Sequence, residues 1–248
     1  MITAIFHRWV ELRRQRLLPE RFTVLAVTSE QDRAGLPPAA AVHVIPNGFE
    51  RPLLEPHRRP AVPPRLGFIG LLDHEPNREG LAWFCRHCWP QISARMPGAR
   101  LRLVGTGTDG PLRPTAAGID GLGWLANPAA EMATWSALVV PIRTGGGTRI
   151  KILDGFSRMC PVISTTFGAR GHDVAHGQEL LLADSPRSFV QACVQVSLDP
   201  VGATAMADRA WRRFLHEWTW DAITPRVWSA AEDCLRRSGQ APAAPVLS

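Results

Sequence analysis

Hydrophobic positions recur along this chain in two rhythms, a helical one and a shorter, denser one. Over residues 2–18, Ile2, Ile5, Phe6, Trp9, Leu12 and Leu17 fall roughly on one helical stripe. Residues 22–27 read as a short buried strand, and Ser29-Glu30-Gln31-Asp32 as a capping box that opens a brief helix. Residues 41–45 form another predicted strand, ended by the turn signal Pro46-Asn47-Gly48. After residue 64 the alternation becomes regular. Strands are predicted at 66–71, 100–104, 119–122, 137–141, 162–165 and 179–183. Helices are predicted at 78–95, 128–134, 148–159, 186–198, 201–217 and 221–236.

Strands alternating with helices predict βαβ units, hence an α/β fold with a Rossmann-like parallel sheet and helices on both faces. In such sheets ligands sit beyond the carboxyl ends of the strands, where loops meet helix starts. Residues 51–64 are rich in proline and charge and read as a linker, and residues 238–248 as a disordered tail.

Composition narrows the function classes. The 248 residues are 45% hydrophobic and 20% charged, which describes an ordinary globular protein with a real core. The net charge of +6 is spread along the chain, with no polybasic tract. It suits small anionic ligands or an acidic membrane surface and gives no reason to expect nucleic acid. No apolar run approaches the ~20 residues of a transmembrane helix. Arg8, Glu11, Arg13 and Arg14 interrupt any secretory pattern at the amino terminus. The expected location is therefore cytoplasmic, with peripheral contact at the inner face of a membrane open to the basic amino-terminal helix. Five cysteines at irregular spacing argue against a disulfide framework. Cys85-Arg86-His87-Cys88 lacks the second pair a zinc site needs, so no metal is expected there.

The candidate chemistry centres on the single lysine of the chain, Lys151, in Gly145-Gly146-Gly147-Thr148-Arg149-Ile150-Lys151-Ile152-Leu153-Asp154. An ammonium is a mobile point charge, whereas the arginines used elsewhere are planar forks. Three glycines let backbone approach a ligand closely, and a helix opening at Thr148 would add oriented N–H groups. Two readings stand at this point: a phosphate site, or a flexible loop with a solvated lysine. Asp154 lies three residues beyond Lys151, placed either to meet ribose hydroxyls or to form a surface ion pair.

Other motifs carry less. Gly105-Thr106-Gly107-Thr108-Asp109-Gly110 matches a dinucleotide fingerprint, but Pro111, Pro114 and Gly118 oppose the helix that should follow. His172-Asp173-Val174-Ala175-His176 imitates a zinc helix, yet Gly171 and Gly177 bracket it too tightly. Neither GxxxxGK[ST] nor GxSxG occurs, which removes the P-loop and α/β-hydrolase readings.

Taken together, Ala137-Leu138-Val139-Val140-Pro141, the 145–154 run, Pro161-Val162-Ile163-Ser164-Thr165, Gly168, Gly171 and Glu179-Leu180-Leu181 resemble the donor-binding half of family-4 retaining glycosyltransferases of GT-B fold, in their GGGT-type branch. Ile45-Pro46-Asn47-Gly48 is similar to the hinge of that family. Gly67-Phe68-Ile69-Gly70 with Pro76-Asn77 and Trp83-Phe84 resembles the first strand and helix of its carboxy-terminal domain, and Leu103-Val104-Gly105 its second strand. Trp218 to Asp221 resembles the start of its terminal crossing helix.

The resemblance implies hexosyl transfer from a nucleotide-diphosphate sugar to a glycan or lipid-linked acceptor, with retention, without cofactor and without metal. By position, Gly70 and the loop Gly145, Gly146, Gly147 and Thr148 approach the diphosphate, while Arg149 and Lys151 offset its charge. Asp154 takes the place of a ribose-binding glutamate, backbone near Leu125 holds the base, and Glu131 is carried over less directly. Asp154 is one methylene shorter than that glutamate, Gly146 stands where another glutamate is usual, and Met159 replaces a helix-ending glycine. Leu71-Leu72-Asp73 stands where an Arg…Lys pair is usual.

The implied plan is a remnant of an acceptor domain at 1–45, a hinge at 46–64, a donor domain at 65–217, a crossing helix at 218–237 and a tail. Most of an acceptor domain is absent from that plan, so catalytic residues contributed by it are unknown. A separate amino-terminal-domain partner or self-association through the Ile2/Phe6/Trp9 stripe is then expected. The competing classes are a nucleotide-sugar-binding module without turnover and a flavodoxin-like interaction domain.

Overall fold

Strand β1 (Leu25–Val27), helix α1 (Glu30–Ala34) and strand β2 (Val42–Val44) open the computed structural model, which describes residues 17, 18, 20–38 and 41–239. The predicted amino-terminal stripe before Leu17 and the tail after Gly239 lie outside the described residues. The Ser29 side chain accepts the Asp32 N–H at 3.1 Å, so the predicted N-cap of α1 forms. Next come β3 (Arg65–Ile69), α2 (Glu75–His87), α3 (Trp89–Arg95), β4 (Arg100–Val104) and β5 (Ile119–Gly121). They are followed by α4 (Ala129–Met132), β6 (Ala137–Val140), α5 (Ile150–Phe156), β7 (Val162–Ser164) and β8 (Leu181–Leu182). Three longer helices complete the order: α6 (Pro186–Leu198), α7 (Pro200–Glu217) and α8 (Trp220–Arg237).

Two differences from the sequence pattern have local causes. The helix predicted over 78–95 is two helices meeting at Cys88, because Pro90 has no N–H and fits only the first turn of a new helix. The helix predicted from Thr148 begins at Ile150, with Arg149 still extended at φ −91° and ψ 93°.

The chain divides into two units, one made of residues up to Phe49 with those from Trp218 onward, the other of Glu50–Glu217. In the first, β1 and β2 pair in parallel, Leu25 opposite Val42. His43 Nε2 lies 3.1 Å from Asp233 Oδ2 of α8, and Phe49 bridges to Thr219.

In the second unit six parallel strands lie in the order β5-β4-β3-β6-β7-β8. Strands β3, β6 and β7 are almost wholly buried, as expected for a sheet covered on both faces. Trp89, Trp135, Phe68, Phe84, Phe156, Phe189 and Phe214 are the largest fully buried side chains of this unit. The proline-rich stretch after Glu50 belongs to it as well. Its Arg59 and Ala61 N–H groups donate to Ala133 and Thr134 carbonyls at 2.9 Å each, and Arg58 donates to the Trp135 carbonyl. Those bonds tie residues 58–61 of the predicted linker to the segment between α4 and β6. No described helix is long and apolar enough to cross a membrane.

Candidate functional site

Strand order locates the crevice. From β3 the chain steps outward to β4 and β5, then returns to place β6 on the other side of β3. Loops leaving β3 and β6 therefore diverge, and the space between them is where an open α/β sheet receives a ligand. Gly70 follows β3, and the loop from Thr144 to Arg149 follows β6.

Lys151, in the first turn of α5, projects into this divide. It is only 8% exposed. Its Nζ donates to Asn77 Oδ1 at 2.6 Å and stands 4.4 Å from the Phe68 ring centroid, a favourable place for a cation. Asn77 in turn donates through Nδ2 to the Leu71 carbonyl at 2.9 Å. Gly70 closes over this pair: a Cβ there would lie 2.9 Å from Lys151 Nζ and 2.8 Å from Asn77 Nδ2. Only bare backbone fits that close, which explains the glycine.

Burial, assisted by the charge of Arg149 and opposed by Asp154, pushes the Lys151 pKa down to about 7. The lysine is therefore neither the solvated surface charge nor the exposed ion-pair partner that the plain reading of its loop offered. Asp154 is bonded instead to Arg158, Nη1 to Oδ1 at 2.8 Å. Burial raises the Asp154 pKa, with Arg158 and then Lys151 acting against it.

The glycine loop is exposed, with Gly145 at φ +98° and Gly147 at φ +72°. Arg149 curls back onto it. Its Nη1 donates to the Gly146 carbonyl and, at 2.7 Å, to the Gly147 carbonyl; its Nη2 donates to the Thr144 carbonyl at 3.1 Å. The guanidinium also stands 5.6 Å from the Phe167 ring centroid. Burial lowers its pKa from the ordinary value.

The loop after β7 supports this arrangement from behind. His172 Nε2 lies 3.1 Å from the Arg149 carbonyl; a carbonyl only accepts, so Nε2 carries the proton. Burial holds the His172 pKa near 4, which keeps the imidazole neutral at physiological pH. A Cβ on Gly171 would lie 1.9 Å from Thr148 Cγ2, so the two residues are in tight contact. His172 and His176 share no helix, and among the described residues no group of histidine, cysteine and acidic side chains could hold a metal.

Other predicted positions have plainer surroundings. Leu125 is half-buried in the loop after β5. Both Glu131 oxygens are engaged, by Arg102 Nε at 2.7 Å and Nη2 at 3.1 Å, and by Trp135 Nε1 at 2.9 Å. Turns follow Gly105 and no helix opens there. Thr108 instead ties two loops, donating to the Gly105 carbonyl at 2.7 Å and accepting the Gly123 N–H at 3.0 Å. Cys85 and Cys88 are buried thiols whose pKa values burial raises to about 12. Asn77 is the site residue to which the sequence assigns no role of its own; its signal there is the Pro76-Asn77 pair of the family resemblance, at the start of a helix that follows a strand.

Residues 63–199 match the family model described as glycosyl transferases group 1. An uncharacterized 44.6 kDa protein in the cps region of Klebsiella pneumoniae is 25% identical over 153 residues, covering 58% of this chain and 39% of the relative. The match thus spans well under half the length of that relative. The HepE structure from Anabaena in complex with UDP and glucose superposes with a TM-score of 0.71 at 15% identity, over 90% of this chain and 67% of that one. A mutant TarM of S. aureus in complex with fondaparinux, alpha-GlcNAc-glycerol and UDP gives 0.70 at 10% identity over 86% and 44%. Sucrose-phosphate synthase of Thermosynechococcus elongatus gives 0.67 at 19% identity over 86% and 58%. At such identities the superpositions speak to the fold.

Proposed function

Because the chain belongs to the glycosyl transferases group 1 family, we propose that it binds a nucleotide-diphosphate sugar at the divide between β3 and β6 and passes the sugar to a glycan or lipid-linked acceptor. Its fold is of the GT-B type, a parallel sheet flanked by helices. The observation that carries the reading is the buried Lys151 ammonium, held by Asn77 and Phe68 directly beneath Gly70. A cation desolvated beside bare backbone at the strand ends is a favourable partner for a diphosphate, and an anion there would restore its full charge.

In this reading the leaving group is the nucleoside diphosphate, and stabilising its growing charge is the principal electrostatic task. Lys151 and the main chain of Gly70, Gly145, Gly146, Gly147 and Thr148 take it up, Asp154 meets the ribose, and backbone at Leu125 meets the base. The family resemblance adds retention of anomeric configuration and independence of divalent metal. Structures of HepE and TarM that contain UDP favour a nucleotide of this kind.

Calorimetry with UDP, GDP and the corresponding nucleosides tests the site. Lys151→Ala is expected to weaken the diphosphates at least tenfold and the nucleosides little. Equal losses for both ligand classes would remove the phosphate role. Release of nucleoside diphosphate in the presence of acceptor glycans, measured with and without chelator, separates transfer from binding alone.

A further inference from the structure

The sequence offers two cations beside the glycine loop, but the structure gives them different surroundings. Lys151 points into the divide between β3 and β6. Arg149 turns both terminal nitrogens onto carbonyls of its own loop, at Thr144, Gly146 and Gly147. Gly145, Gly146 and Gly147 have no side chains to fix their course, and the space beside Gly146 and Gly147 is open. An order that the glycines cannot supply themselves must come from a neighbour, and the arginine fork is shaped for several acceptors at once.

The bonds have a second consequence. A peptide unit is planar and trans, so its C=O and the following N–H point in opposite directions. Drawing the carbonyls of Thr144, Gly146 and Gly147 inward turns the N–H groups of Gly145, Gly147 and Thr148 away from the guanidinium. Phe167 supports the guanidinium through its ring face, and His172 fixes the Arg149 carbonyl at 3.1 Å. The arginine is thus held from its main chain as well as its side chain.

We propose that Arg149 is a positioning residue: it draws the loop carbonyls inward so that the loop amides face the donor diphosphate, and it leaves the direct charge contact to Lys151. The assignment rests on the nucleotide-sugar reading for its ligand, but the bracing of the loop stands apart from it. A cation that touched phosphate would be replaceable in part by another cation. A brace needs a planar group with several donors, whatever its charge.

The test compares Arg149→Lys, which keeps the charge and loses the fork, with Arg149→Gln, which keeps amide donors and loses the charge. Three quantities are read on the full chain: nitrogen-15 relaxation order parameters of the amides of residues 145–149, affinity for UDP against uridine, and the thermal midpoint. A brace predicts lower order parameters in that segment for Arg149→Lys, with a smaller drop for Arg149→Gln. It also predicts that Arg149→Gln holds UDP as well as or better than Arg149→Lys, with uridine affinity little changed. Tighter UDP binding by Arg149→Lys than by Arg149→Gln, or wild-type order parameters in Arg149→Lys, overturns the proposal. The midpoints identify any variant that has lost its fold, and the remaining variant then decides by its order parameters against wild type. Failure of the wild-type chain to bind any nucleoside diphosphate defeats the proposed function, while the order parameters still decide whether Arg149 braces the loop.

Discussion

Lys151 Nζ donates to Asn77 Oδ1 at 2.6 Å across 74 residues of chain, joining the helix after β6 to the helix after β3. The bond therefore fastens together the two βα units whose loops diverge at the sheet's switch point. It also leaves a desolvated ammonium with one neutral oxygen, one aromatic face and no ion pair to a described carboxylate. Such a group favours its neutral form when alone and its charged form when an anion arrives.

That asymmetry predicts a pH dependence of stability. The folded pKa of Lys151 is about 7, below the 10.5 of an ordinary lysine. Between these values the unfolded chain holds a proton that the folded chain has released, so stability contributed at this position rises with pH across that window. Below pH 7 both states are protonated and the dependence vanishes. Urea midpoints of wild type and Lys151→Met, taken from pH 6 to 10, should show a difference that grows in favour of wild type as pH rises. Saturating UDP should flatten the lower part of that curve. A difference independent of pH would mean that the lysine is not desolvated.

Met159 supplies a prediction of opposite sign. It ends the turn after α5 at φ +50°, the one described non-glycine residue with positive φ, while the Cys160 N–H returns to the Gly155 carbonyl at 2.9 Å. The left-handed conformation costs a side-chain-bearing residue roughly 1–2 kcal/mol. Met159 is half-buried, so loss of its contacts offsets part of the gain. Met159→Gly is expected to stabilise by up to about 1 kcal/mol, the scale of glycine relief at such sites. Chemical denaturation decides; a less stable variant would show that methionine packing outweighs the strain.

The absent glycine at that turn was readable in the sequence, and so were the strands, because apolar runs bounded by turn residues leave little choice of element. The division of labour between Arg149 and Lys151 was not. Periodicity starts a helix at Thr148, but the fork of Arg149 reaches back two to five residues and holds the chain extended until Ile150. The link from Asn77 to Lys151 was hidden for a related reason. A polar side chain in the first turn of a helix resembles a solvated one until its partner from a distant unit is in place. Local pattern fixes elements, whereas these two residues take their roles from contacts that pattern does not encode.

Arg213 of α7 reaches the rear of the site. It meets Glu217 at 2.9 Å, Glu179 at 3.1 Å and Asp173 at 3.2 Å, and Glu179 also accepts the Ala175 N–H at 2.9 Å. This cluster secures the loop that seats His172 against Arg149. Asp173 is fully exposed whereas Glu179 is only 13% exposed, so the two ion pairs differ in worth. Asp173→Ala should change stability by less than about 1 kcal/mol, as for other surface pairs. Arg213→Ala leaves the largely buried Glu179 carboxylate with only the Ala175 N–H and is expected to cost about 1–3 kcal/mol, with a parallel loss of UDP affinity. Equal effects of the two substitutions on the urea midpoint would refute this ranking.

Lys151→Arg asks whether charge alone suffices beneath Gly70. The ammonium fits a space bounded by Gly70, Asn77 Oδ1 and the Phe68 ring. A guanidinium is larger, planar and more demanding of acceptors, and the site shows it one neutral oxygen. Inserting it must displace Asn77 or lift the Gly70 backbone, and overpacking of that kind typically costs about 1–3 kcal/mol. In a chain whose other side-chain cations, histidine aside, are all arginine, the exchange that looks most conservative should therefore fail. Lys151→Arg is expected to lose UDP affinity about as severely as Lys151→Ala and to unfold at lower urea than wild type. Calorimetry and denaturation on the same preparation read both effects. An arginine variant that binds UDP with wild-type affinity would show that the site selects positive charge and not the compact ammonium.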